Sequence, residues 1–169
     1  MKQFKTLVIA VALILGATSF TNAQSKVAHI ASQELIEQMP AYKEAMNQLE
    51  KLQKTYDTEI KDMVAEAQAT MQRYEAEAQS KTDEENAKRA TELQQTQRTI
   101  GEYRQNAMQE LQKKEMELLQ PVYEKARTTI QKVARAKGFD YVLDSTTGTG
   151  VIMADGYNLM PDVKKELGI

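Results

Sequence analysis

Between Ala41 and Gln120 apolar residues recur in alternating steps of three and four. The first series runs Tyr42, Met46, Leu49, Leu52, Tyr56 and Ile60, then Met63, Ala67, Met71, Tyr74 and Ala78. That spacing keeps one stripe on one face of a helix and predicts a coiled-coil seam. A weaker series follows through Ala90, Leu93, Gln97, Ile100, Tyr103, Ala107, Leu111 and Leu118. The intervening positions are mostly Ala, Glu, Gln, Lys and Met, all good helix formers, and Gly101 is the only glycine of the stretch. Between the two series Ser80-Lys81-Thr82-Asp83-Glu84-Glu85 is polar, and Thr82 with Glu85 has the spacing of a capping box. The pattern reads as an antiparallel helical hairpin over 41–120 with its tip near 80–85. Pro40 lies about 41 residues before the tip and Pro121 about 40 after it, so the prolines face each other at the base. Each arm is then about 60 Å long. A single uninterrupted helix is the competing reading, because Gln and Ser do not by themselves stop a helix.

The flanks change period. Val27 to Ala31 reads as a strand, Ser32 as the N-cap of a short helix over Gln33 to Gln38, and Pro40 as the first turn of the first arm. Beyond Pro121, Val122, Ala126, Ile130 and Val133 mark a shorter amphipathic helix that stops near Gly138. Tyr141 to Ser145 and Gly150 to Ala154 read as two strands about the turn Thr146-Thr147-Gly148-Thr149, and Pro161 to Leu167 as a last helix ended by Gly168. The fold class is α+β: a long antiparallel helical hairpin on a small β-strand body, with 24–40 and 121–169 forming the body.

The N-terminus reads as a targeting segment rather than structure. Lys2 and Lys5 precede an apolar run from Leu7 to Ala17, and Thr21-Asn22-Ala23 supplies the small residues that a signal peptidase reads. Residues 1–23 are therefore expected to be a signal peptide, with Gln24 the new N-terminus and the protein exported. An uncleaved anchor is the alternative, but the apolar run of about 11 residues falls short of the roughly 20 that span a bilayer.

Cleavage takes two lysines and no acids from a chain of 22 basic and 24 acidic residues, leaving 20 against 24 and a net charge of −4. A mildly acidic chain has no electrostatic footprint for nucleic acid. There is no cysteine, which excludes disulfides and thiolate chemistry, and the one histidine, His29, forms no cluster for a metal or a triad. Gly148-Thr149-Gly150 lacks the Lys-Ser/Thr of a phosphate loop and reads as a turn. No catalytic residue, cofactor site or metal site is expected, and the chain does not read as an enzyme.

A body of about 65 residues buries too little apolar surface to be secure alone, and a three-stranded sheet leaves open edges. Self-association is expected, through Val27, Ile30, Val142, Leu143, Val151 and Ile152. Along the arms, Met63, Met71, Met108 and Met116 offer adaptable thioethers, and Tyr74 and Tyr103 offer rings with a wet tip. These are candidate contacts for an apolar partner; filling of the hairpin's own seam is the other reading. The Ala- and Gln-rich seams should let the arms bend and splay.

Lys26 to Ser32, the proline-bounded hairpin, Phe139-Asp140-Tyr141-Val142-Leu143-Asp144, Gly150-Val151-Ile152-Met153-Ala154 and Asp162 to Leu167 together resemble the Skp/OmpH family. The resemblance spans essentially the whole mature chain. It implies a periplasmic, ATP-independent homotrimer whose strands assemble into a barrel-like body, with three hairpin tentacles that enclose unfolded outer-membrane proteins. It also implies transient contact with the outer-membrane insertion machinery. The best-known members are strongly basic with Lys/Arg-rich tips. Here Lys81, Lys88 and Arg89 mix with Asp83, Glu84 and Glu85, which counts against lipopolysaccharide or membrane contact. A coiled-coil spacer or tether of the envelope is the alternative function, favoured by stiff seams that this chain does not have.

Overall fold

A computed structural model describes residues 25–169; the expected signal peptide lies outside them. Chain order is β1 (Val27–Ile30), α1 (Ser32–Gln38), α2 (Pro40–Glu77), a 3-10 turn (Ala78–Ser80), α3 (Asp83–Ala136), β2 (Tyr141–Asp144), β3 (Tyr157–Asn158) and α4 (Met160–Leu167). The molecule is mostly helical, with one small sheet and two long helices that pack against each other as a hairpin.

At the tip, the Thr82 hydroxyl accepts from the Glu85 amide at 3.2 Å and the Glu85 carboxylate accepts from the Thr82 amide at 3.0 Å. This reciprocal pair satisfies donors that a new helix would otherwise leave orphaned, which is why the chain reverses here. The Asn86 amide closes the turn on the Ala78 carbonyl at 3.0 Å.

Three sequence expectations are corrected. Pro121 does not end the second arm: α3 is one helix of 54 residues running through it. A proline forfeits one backbone hydrogen bond, but Leu119 and Val122 on either side of it are buried and hold the helix across the gap. Ser32 does not cap α1. Ala31 occupies that position without a side-chain cap, and Ser32 is the first helical residue, its hydroxyl donating to Asp144. Finally, 150–154, the segment holding Val151 and Ile152, forms no strand. The third strand is Tyr157–Asn158, and both β2 and β3 run parallel to β1 in the order β2-β1-β3. The intervening turn folds back on Asp144 and Thr146: the Thr149 hydroxyl donates to the Asp144 carbonyl at 2.6 Å and its amide to the Thr146 carbonyl at 3.1 Å. Gly148 and Gly150 take the left-handed conformations this path needs. No hairpin ladder follows, so Ile152 is fully exposed.

The core lies at the foot of the hairpin. Ala28 and Ile30 of β1, Leu35 and Ile36 of α1, Met39, Val122, Ala126, Val133 and Ala134 of α3, and Leu159 with Val163 of α4 form one buried cluster. Asp144 ties the ends of this core together across more than a hundred residues of chain. It accepts from the Ser32 amide at 3.2 Å, the Thr146 amide at 2.9 Å and the Thr146 hydroxyl at 2.6 Å, besides the Ser32 hydroxyl. Partial burial raises its pKa, but these hydrogen bonds outweigh burial and hold the carboxyl down at about 2.

Because the folded pKa is depressed, this contribution is complete above the ordinary aspartate value of about 4 and is lost as pH falls through about 2. Asp144→Asn is expected to cost about 1–2 kcal/mol at neutral pH, allowing for solvent screening of a partly exposed group. In denaturant melts the gap between variant and parent should close between about pH 4 and pH 2.

Candidate functional site

The arms carry the surface that the core does not use. Their seam is narrow: of the arm residues distal to Met39 and Leu119, only Ala45, Ile100 and Ala107 are buried. Near the base an open groove of about 700 Å³ runs between the helices, walled by Tyr42, Met46, Leu49 and Leu111. Midway along, a second cleft of about 350 Å³ has Val64, Ala67, Met71, Leu93 and Ile100 as its apolar walls. On the opposite flank Met63 faces a groove of about 630 Å³ formed with Thr96 and Thr99.

Tyrosines cross the hairpin at two levels. Tyr56 and Tyr103 meet edge to face, ring centroids 6.2 Å apart, and the Tyr103 hydroxyl donates to Glu59 on the other arm. Nearer the tip, the Tyr74 hydroxyl donates to Glu92 at 2.8 Å, while the Arg89 guanidinium sits 4.5 Å from its ring centroid and pairs with Glu77 at 2.5 Å. Both tyrosines singled out from the sequence are thus half-buried and spend their hydroxyls on the opposite arm. The hydrogen bond to Glu59, then partial desolvation and the Glu59 and Tyr56 fields, push the Tyr103 phenol up to about 12.

The methionines divide. Met63 is half-buried and Met71 forms a cleft wall, whereas Met108 and Met116 stand outside the seam, 61% and 63% exposed. Met116 continues into an apolar groove with Leu119 and Tyr123. At the tip Asp83, Glu84 and Glu85 occupy the first turn of α3, where acidic side chains complement the helix N-terminus. Those acids have a structural use before any partner is invoked.

In the body, Val27, Tyr141 and Leu143 share the face of the sheet turned away from the helices and are 44%, 60% and 46% exposed. Ile30 points the other way and lies in the protomer's own core; Val142 packs against that core. Val151 is half-buried. Tyr141 was missed from the sequence, although strand alternation puts it on one face with Leu143. Among the described residues no group of three or more His, Cys, Asp or Glu is placed to hold a metal, and no helix is long and apolar enough to cross a membrane.

Comparison with known proteins follows the same architecture. The family model for outer membrane proteins of the OmpH-like type matches residues 26–167. The chaperone protein Skp of Photorhabdus luminescens is 24% identical over 159 residues, covering 94% of this chain and 93% of that one. The crystal structure of an OmpH-like outer membrane chaperone candidate from Caulobacter crescentus CB15 superposes with a TM-score of 0.75 over 86% of this chain and 85% of that chain, at 18% identity, and shares the fold.

The Tyr103 bond is open to a direct test. A phenol whose folded pKa is raised keeps its proton while the unfolded chain loses it, so its contribution is intact below about pH 10 and fades toward about pH 12. In an absorbance titration of tyrosinate Tyr103 is expected to ionise late, near pH 12, and Tyr103→Phe should delete that late step.

Proposed function

The chain belongs to the OmpH-like family of outer membrane proteins, and from that premise we propose that it is an ATP-independent holdase of the periplasm that encloses unfolded outer-membrane proteins and keeps them from aggregating. The carrying observation is the division of labour within the fold: the hydrophobic core is confined to the body and the foot of the hairpin, while both arms project beyond it and carry exposed methionines. Met46 and Met71 are exposed on α2, Met108 and Met116 on α3. Thioethers repack around irregular apolar partners at small cost, and many such weak contacts made at once hold a disordered chain by their sum.

Enclosure needs several arms, and the body supplies a reason for them to assemble. One face of its sheet carries exposed Val27, Tyr141 and Leu143, and Ile152, in the unpaired Val151-Ile152-Met153 segment, is fully exposed as well. Covering that apolar surface with further copies removes it from water and protects the sheet edges. A homotrimer with a barrel-like body and three hairpin tentacles fits these demands, with 24–40 and 121–169 as the assembling unit and 41–120 as the tentacle. Contact with the outer-membrane insertion machinery would be transient, at client release. The mixed charge of the tip supports neither lipopolysaccharide nor nucleic acid as a partner.

The mature protein's mass in solution, alone and with a urea-unfolded outer-membrane barrel protein, tests the reading. The expected result is a trimer that takes the client into a soluble complex; an oligomer that leaves the client to precipitate refutes it. Replacing both Met108 and Met116 by Gln should weaken client retention roughly tenfold, as expected for losing part of two buried thioether side chains, and leave the oligomer's mass unchanged.

A further inference from the structure

Between the two aromatic contacts that cross the hairpin, the arms are under-filled. Tyr56 with Tyr103 closes the seam on the body side and Tyr74 with Arg89 closes it on the tip side. The half-buried seam between them holds Ile60, Met63, Val64 and Leu93, but at the cleft α2 presents Ala67, which is too small to fill a helix–helix layer as leucine would. What remains is the mid-arm cleft of about 350 Å³, with buried Ile100 among its apolar walls and Val64, Met71 and Leu93 around it.

Its rim has a chemistry of its own. Gln68 on α2 and Gln97 on α3 border the opening, one amide from each arm, and Arg104 stands beside them. Each amide can both donate to and accept from an extended backbone. None of the ion pairs among the described residues involves Arg104, so its guanidinium is available to a carboxylate. The volume lies at the small end of ligand sites, where one bulky apolar side chain and its flanking backbone fit. We infer that this cleft is a socket for a single apolar side chain of an extended client segment that carries an acidic residue nearby. The amides hold the backbone, Arg104 takes the carboxylate, and the Met71 thioether adjusts the wall to the size of the guest.

The inference rests on the holdase reading and narrows it from a diffuse surface to a place. The absence of cysteine allows a unique probe: Met71→Cys carrying a polarity-sensitive fluorophore, with Met108→Cys as the outer-surface control. Adding a urea-unfolded barrel client should shift the Met71 probe to the blue. Ala67→Leu, which fills the cleft with a good helix former, should abolish that shift and speed client release about tenfold, with thermal stability held or raised. Arg104→Gln should weaken capture of an acidic apolar model peptide and leave a basic one of equal length unaffected. A silent Met71 probe, or undiminished retention by a folded Ala67→Leu protein, overturns the socket while parental suppression of aggregation leaves the holdase reading standing. A shift on concentrating the protein without client assigns the cleft to a second copy and overturns it too. Failure of the parent to suppress aggregation removes both.

Discussion

The structure depends on one helix being shared between two tasks. From its cap at Thr82, α3 first forms an arm and then, without interruption at Pro121, becomes a wall of the core through Val122, Ala126, Val133 and Ala134. A hinge at the proline would have let the arm swing freely. Continuity instead couples the direction of the arm to the packing of the body. The other arm is attached less directly: α2 begins at Pro40, after Met39 has broken the backbone into an extended conformation. Asp144 then secures the short helix before it, binding the start of α1 to the end of β2.

The long-period features were legible because they depend on local physics. Alternating apolar steps of three and four, Pro40 at a helix start and the Thr82–Glu85 box each specify their geometry within one or two helical turns. Errors arose where a residue's role is decided by distant chain. Ser32 has the chemistry of a cap, yet its hydroxyl is drawn to a carboxylate 112 residues away. Pro121 reads as a stop, yet buried Leu119 and Val122 outvote it. The segment 150–154 has strand-forming residues, but Thr149 ties the preceding turn back onto Asp144 and Thr146, and no ladder forms on the open edge of β2. That failure is itself informative: a sequence suited to a strand and left unpaired in the protomer is what an assembling chain would carry.

The candidate surface was half legible for the same reason. Met108 and Met116 sit beside the seam, and periodicity left open whether they fill it or stand outside it, where the structure places them. Tyr74 and Tyr103 sit on it, and no pattern could show that each hydroxyl would find a glutamate across the hairpin. Those bonds change what the tyrosines do: they brace the arms as well as line them. The mid-arm cleft was invisible from sequence because its walls, Ala67 and Met71 of one arm and Leu93 and Ile100 of the other, are adjacent only after the chain has folded back.

Bracing and under-filling belong together. A layer built on Ala67 buries little apolar area, and at about 25 cal/mol per Å² it contributes much less than a leucine layer would. Without the crossing tyrosines such a stretch would separate or collapse, and a collapsed cleft could hold nothing. With them, the gap between the arms is kept open at both ends by contacts that combine ring burial with a hydrogen bond to a charged group, each stronger than the alanine layers they flank. The arms are therefore held together at two levels with a less filled stretch between, the arrangement that the proposed socket requires.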